Sequence, residues 1–88
     1  MMYAVKYHKD IAKKLKNISK SDQLFILSWI NKNLINTKNP RIHGKSLKGE
    51  KKGLWRYRVG NYRIIANIQN KELIILIIDI GHRKDIYR

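Results

Sequence analysis

The sequence predicts an α+β domain of element order β-α-α-β-β-β, a small twisted and mainly antiparallel sheet with a two-helix hairpin packed on one face. Three observations predict it. Apolar residues recur at helical spacing early in the chain, at Ile11, Leu15 and Ile18 and again at Ile26, Ile30 and Leu34. "LWRYRV" alternates with period two and runs into Gly60-Asn61, a two-residue turn signal. "LIILIIDI" is an apolar run expected of a strand covered on both faces. At 88 residues and 43% hydrophobic content, the chain is read as one domain, 1–88, with a small core.

The elements follow in order. Residues 3–7, Tyr-Ala-Val-Lys-Tyr, read as a short first strand. The Ile11, Leu15, Ile18 stripe is the first helix, with Lys13, Lys14 and Lys16 elsewhere around the turn. Ser19 or Ser21 can cap the second helix by accepting an orphan amide, and Asp22 suits its positive end. Phe25 and Trp29 form an i,i+4 pair beside its core stripe. Pro40, Gly44, Gly49 and Gly53 make "NTKNPRIHGKSLKGEKKG" a loop whose charges are mostly basic.

Beyond that loop, the Gly60-Asn61 turn pairs Val59 with Tyr62, Arg58 with Arg63, Tyr57 with Ile64 and Arg56 with Ile65. Asn70-Lys71 offers a second tight turn into the last strand, which Gly81 ends. In that register Ile65, Ile74, Leu76 and Ile78 share a face with the arginines, and a bulge would invert the last strand.

Charge narrows the function. Twenty Lys and Arg against six Asp and Glu leave a net charge of +14. Such a charge repels itself, and a polyanion relieves the repulsion, which points to nucleic acid ahead of two other readings, an anionic membrane surface or a plain solubilising charge. With no cysteine, disulfides and thiolate metal sites are excluded. The six acids are scattered at 10, 22, 50, 72, 79 and 85, so no acidic metal cluster is expected, and no cofactor. No export signal or membrane span is visible, which places the protein in the cytoplasm, away from membranes.

The hairpin puts Arg56, Arg58 and Arg63 on one face, with Arg58 directly across from Arg63. Like charges so placed cost about 0.2–1 kcal/mol against a neutral pair. One reading is a solvated face that tolerates its charges. The other is an anion site on rigid strands, with planar forks suited to phosphate oxygens. "GHRKDIYR" adds His82, Arg83 and Tyr87. A histidine among fixed positive charges favours the neutral imidazole, which can accept a proton. Lys48, Lys51 and Lys52 extend the basic surface toward RNA, while His8 and His43 read as surface or loop residues.

Length, element order, "YRVGNYRI" and "IGHRKDIYR" resemble the RelE/ParE superfamily of toxins, and within it the RelE-type mRNA interferases of type II toxin–antitoxin systems. The resemblance covers nearly the whole chain and is most specific from Leu54 to Tyr87. It implies a RelE-like fold and a ribosome-dependent endoribonuclease that cuts mRNA in the ribosomal A site and is silenced by a cognate antitoxin. It implies roles as well. Arg63 matches the arginine that contacts the scissile phosphate, and Arg83 the arginine associated with charge on the phosphate and leaving group. Tyr87 matches the near-terminal tyrosine that stacks on the substrate or exchanges a proton with it. Arg56 and Arg58 stand where RelE proteins commonly carry lysines. A guanidinium does not give up its proton, so these two cannot serve as a base, and His82 becomes the candidate.

RNA supplies its own nucleophile, the 2′-hydroxyl, so the residues expected here need only align it, move protons and stabilise the phosphorane. Two other readings stand beside this one: a ParE-like DNA gyrase inhibitor, and a non-catalytic basic module that binds nucleic acid through its backbone.

Overall fold

A computed structural model describes residues 1–84. The elements are β1 (Ala4–Tyr7), α1 (Ile11–Lys16), α2 (Lys20–Asn33), β2 (Lys45–Ser46), β3 (Trp55–Val59), β4 (Tyr62–Gln69) and β5 (Ile74–His82), with a 3-10 turn at Gly49–Lys51. They form the expected α+β fold, with one sheet of order β1-β5-β4-β3-β2. β1 runs parallel to β5, and every other pair is antiparallel. No described helix is long and apolar enough to cross a membrane.

α2 starts where its side chains dictate. The Ser19 hydroxyl accepts from the Asp22 amide at 3.3 Å, so Ser19 rather than Ser21 is the cap. Ile26, Ile30 and Leu34 from this segment are fully buried against Tyr57, Ile64, Ala66, Ile75 and Ile77 of the sheet. Each such aliphatic side chain contributes about 1.5–3 kcal/mol on leaving water, an upper figure given the compactness of real unfolded chains. α1 is short, ending before Ile18, so Ile18 packs from the connection between the helices. Trp29 meets the Tyr57 ring at 5.6 Å between centroids, whereas Phe25 stays 54% exposed. The expected Phe25–Trp29 pair therefore splits between surface and core. Phe25 lies instead over Gly60, where a Cβ would stand 3.2 Å from its ring.

The β3–β4 hairpin has the register its sequence predicts: Val59 pairs with Tyr62, Arg58 with Arg63, Tyr57 with Ile64 and Arg56 with Ile65. Gly60 has φ +59 and Asn61 stays in the ordinary region, so one glycine suffices to match turn and strand twist.

The β4–β5 connection departs from expectation. Four residues, 70–73, separate Gln69 from its partner Ile74, and Leu73 takes φ 56 to complete the turn. Further along, Ile65 pairs with Asp79 while Ala66 pairs with Ile77, leaving Ile78 as an extra residue. This β-bulge inverts the rest of β5. Ile80 turns into the core and Asp79 takes the place beside Ile65 that a regular ladder gives Ile78. Gly81 does not end the strand, which continues to His82.

Two hydrogen bonds fasten the long loop to the sheet. The Tyr57 hydroxyl donates to the Pro40 carbonyl at 2.6 Å, and Trp55 Nε1 donates to the His43 carbonyl at 2.7 Å. β2 emerges from this loop as the outer strand, and its turn closes through the Leu47 amide donating to the Leu54 carbonyl.

A candidate RNA-binding face

Two rows of cross-strand neighbours build the face opposite the helices. One row crosses four strands as Lys45, Arg56, Ile65 and Asp79; the next is Arg58, Arg63 and Gly81. The Arg83 amide then donates to the Asn61 carbonyl at 2.9 Å, carrying the ladder one step past β5. Alternation thus returns Arg83 to the side of Gly81 and Arg63.

Arg63 is the hub. Its Cα lies about 5 Å from that of Arg58 across the ladder. Strand spacing near 4.8 Å and a rise near 3.4 Å per residue put the Arg56 and Arg83 Cα atoms each about 8 Å away. Arg63 is only 9% exposed and Ile65 only 2%, although both lie on the side away from the helices. Of the apolar residues that share the arginines' face, Ile65 is therefore covered, while Ile74 and Leu76 stay half-buried on the same side. Arg58 and Arg83 are exposed. Asp79, the acid in this framework, is engaged by Lys14 Nζ of α1.

His82 is not brought together with the arginines, and the bulge is the reason. In an unbroken ladder His82 shares their face and Arg83 lies opposite. The extra residue exchanges the two. His82 pairs with Tyr62 and its imidazole meets the Tyr62 ring edge-on at 5.7 Å, on the helix side. Its Nδ1 accepts from the Lys84 amide at 3.4 Å. Tyr62 in turn donates to Asp22 Oδ2 at 2.8 Å, and that hydrogen bond, with some burial, holds the phenol above its ordinary pKa.

The three loop lysines also stand apart from the hub. Lys48 and Lys52 are exposed and Lys51 is half-buried, around the 3-10 turn at the tip of the β2–β3 hairpin. From Leu54 at that tip to Arg58 is about 14 Å of strand at 3.4 Å per residue. Tyr87 lies outside the described residues. Lys45 joins the face without having been singled out, because a two-residue strand inside a glycine-rich loop has no period to read. The signal available was the pair Leu47 and Leu54 flanking "KGEKKG".

This geometry can bind anions and stabilise developing negative charge. Guanidiniums fixed on adjacent strands present planar donors whose orientation costs little further entropy. Among the described residues there is no group of three or more His, Asp or Glu that could hold a metal ion.

Comparison with known proteins gives a consistent family. Residues 4–87 match the family model of the ParE toxin of type II toxin–antitoxin systems, parDE. In structure, the chain is similar to one from the Mycobacterium tuberculosis toxin–antitoxin complex RelBE2, with TM-score 0.84 and 22% identity over 97% of this chain and 95% of that one. It is similar to a chain of the archaeal RelE–RelB complex from Pyrococcus horikoshii, with TM-score 0.71 and 29% identity over 97% and 99%. A third likeness is to the RelB–RelE antitoxin–toxin complex from Methanococcus jannaschii, with TM-score 0.61 and 30% identity over 93% and 94%. No curated protein matches the chain.

Proposed function

The chain belongs to the ParE toxin family of type II toxin–antitoxin systems, within the RelE/ParE superfamily, and on that premise we propose that it is a RelE-type, ribosome-dependent mRNA endoribonuclease. The observation that carries this reading is Arg63, 9% exposed at the centre of an arginine-bearing face and directly opposite Arg58. A sheet that keeps two like charges in register forgoes stability there. An anionic substrate recovers it.

In the proposed reaction the 2′-oxygen attacks the adjacent phosphorus and the P–O5′ bond breaks, leaving a 2′,3′-cyclic phosphate and a 5′-hydroxyl. Arg63 binds the scissile phosphate and Arg83 takes charge that develops on the phosphorane and leaving oxygen, the electrostatic contribution that preorganised donors make. Arg56, Arg58, Lys48, Lys51 and Lys52 hold flanking phosphates. Tyr87 is proposed to stack on the substrate or pass a proton to the leaving oxygen. Neither Arg56 nor Arg58 can remove the 2′-proton, which in this reading passes to solvent water or to an acceptor that the ribosome supplies. A site so poor in bases gains most from a ribosome that aligns the mRNA, since orientation alone supplies a large share of such a barrier.

The inhibitory partner is proposed to be a cognate antitoxin. The solved RelE relatives above are complexes with RelB, which supports this reading.

A ParE-like gyrase inhibitor is the second reading, favoured by the name of the matching family model. One experiment separates them. The protein added to a translation extract should produce mRNA ends that map to ribosomal A sites and carry a cyclic phosphate, while leaving gyrase supercoiling unaffected. Intact mRNA together with blocked supercoiling would transfer the assignment to the second reading.

A further inference from the structure

A cavity of about 320 Å³ opens beside β3, lined by Trp29, His43, Gly44, Lys45, Arg56 and Arg58. Ligand pockets start at about 300 Å³, so this one has room for a single nucleoside rather than a strand. Its walls differ in chemistry. Trp29 and His43 meet edge to face, with ring centroids 5.6 Å apart and planes at 68°. Lys45 and Arg58 are exposed cations, and no acid is among the described residues that line the cavity.

The wall is built in place. The bonds from Trp55 to the His43 carbonyl and from Tyr57 to the Pro40 carbonyl pin the loop on both sides of residue 41. Gly44, at φ +84, lets that loop press against β3: a Cβ there would fall 2.2 Å from the Arg56 carbonyl oxygen and 2.7 Å from Trp55 Nε1. β2 pairs with β3 only at Trp55 and Arg56. Among the described residues, no strand pairs with the outer edge of β3 past Arg56, so its backbone can bond a ligand there.

A pocket with planar aromatic walls and a cationic rim matches a nucleotide, planar at the base and anionic at the phosphate. We propose that it seats one unstacked base of single-stranded RNA against Trp29 and His43, with the adjoining phosphate held by Lys45 and Arg58. Because Arg58 also stands opposite Arg63, a nucleotide held there sets the register in which the next linkage meets the arginine hub. The inference rests on the endoribonuclease reading for its ligand and adds to it a determinant of base preference.

The test compares a trinucleotide with an abasic trinucleotide of equal charge, reading affinity and the Trp29 ring signals by NMR. Stacking on an aromatic should make the intact trinucleotide bind at least about 5-fold tighter. His43→Ala, a change at an exposed residue, should remove most of that advantage and leave abasic binding as it was. Trp29→Phe should retain part of it. Equal affinity for the two ligands, or no effect of His43→Ala, would overturn the proposal. So would a poly-glutamate peptide that moves the Trp29 signals as RNA does, since an acidic protein segment is then the occupant. Base-dependent binding without cleavage on ribosomes sinks the endoribonuclease reading and keeps the pocket. Cleavage without base-dependent binding sinks the pocket alone.

Discussion

Replacing Arg58 by threonine should make the protein more stable and worse at binding RNA. Arg58 is exposed on β3 with its Cα directly across from Arg63, and Lys45 and Arg56 form a second cationic pair in the neighbouring row. Like charges directly opposite cost about 0.2–1 kcal/mol, and a β-branched side chain suits a strand better than most. The net gain for Arg58→Thr is then about 0.5 kcal/mol, which for a domain of this size raises Tm by about 2–4 °C. Screening supplies the control. The Debye length shrinks from about 10 Å at 0.1 M salt to about 3 Å at 1 M, so the electrostatic part of the gain should vanish at high salt. Loss of one phosphate contact should flatten the salt dependence of single-stranded RNA binding by about 0.7 in log–log slope. Thermal unfolding at the two salt concentrations, with RNA titrations alongside, reads both effects. A destabilised variant at low salt, or a gain that persists unchanged at 1 M, would refute the claim that the face stores repulsion. An unchanged salt slope would refute its assignment to phosphate.

Three further outcomes follow from the same geometry. His82→Gln should change single-turnover cleavage only a few-fold and leave its pH profile in place, because the bulge puts the imidazole against Tyr62 on the far face; loss of the acidic limb of that profile would restore His82 as the base. Tyr57→Phe removes the bond to the Pro40 carbonyl and should cost about 1 kcal/mol, measured by urea unfolding at neutral pH. Burial holds the Tyr57 phenol well above the ordinary tyrosine range. A folded state that resists losing this proton is fully stabilised by it below about pH 10 and loses that stability as pH rises further, so the wild type should unfold in alkali more steeply than Tyr57→Phe. Asp79→Asn should cost about 0.5–1 kcal/mol, less at high salt, because its partner Lys14 is a half-exposed cation.

The hairpin of β3 and β4 was legible residue by residue, because alternation and a Gly60 turn leave one register in which Tyr57, Ile64 and Val59 are all buried. The stripe of the second helix was equally clear, since Ile26, Ile30 and Leu34 fall on one side of a 3.6-residue period and have no other way to leave water. β5 was not. An unbroken apolar run contains no period that marks where a ladder slips, and the one polar residue in it, Asp79, stands at the slip itself. The extra residue there, Ile78, sets which way the end of β5 faces. It moves Arg83 onto the arginine face and His82 off it, an exchange that propensity and composition cannot register. The short strand β2 escaped notice for a related reason, and with it went Lys45 and the pinned loop that makes the aromatic pocket.

The central claim is that Arg63 acts on a scissile phosphate, and the most direct measurement is the single-turnover rate of mRNA cleavage on programmed ribosomes. Removing a preorganised donor to developing charge typically costs about 10²–10³ in rate. Arg63→Ala and the shape-sparing Arg63→Gln should both fall by at least about 100-fold while their circular dichroism matches the parent. If either folded variant cuts mRNA at the parental rate, the arginine face is not the active centre.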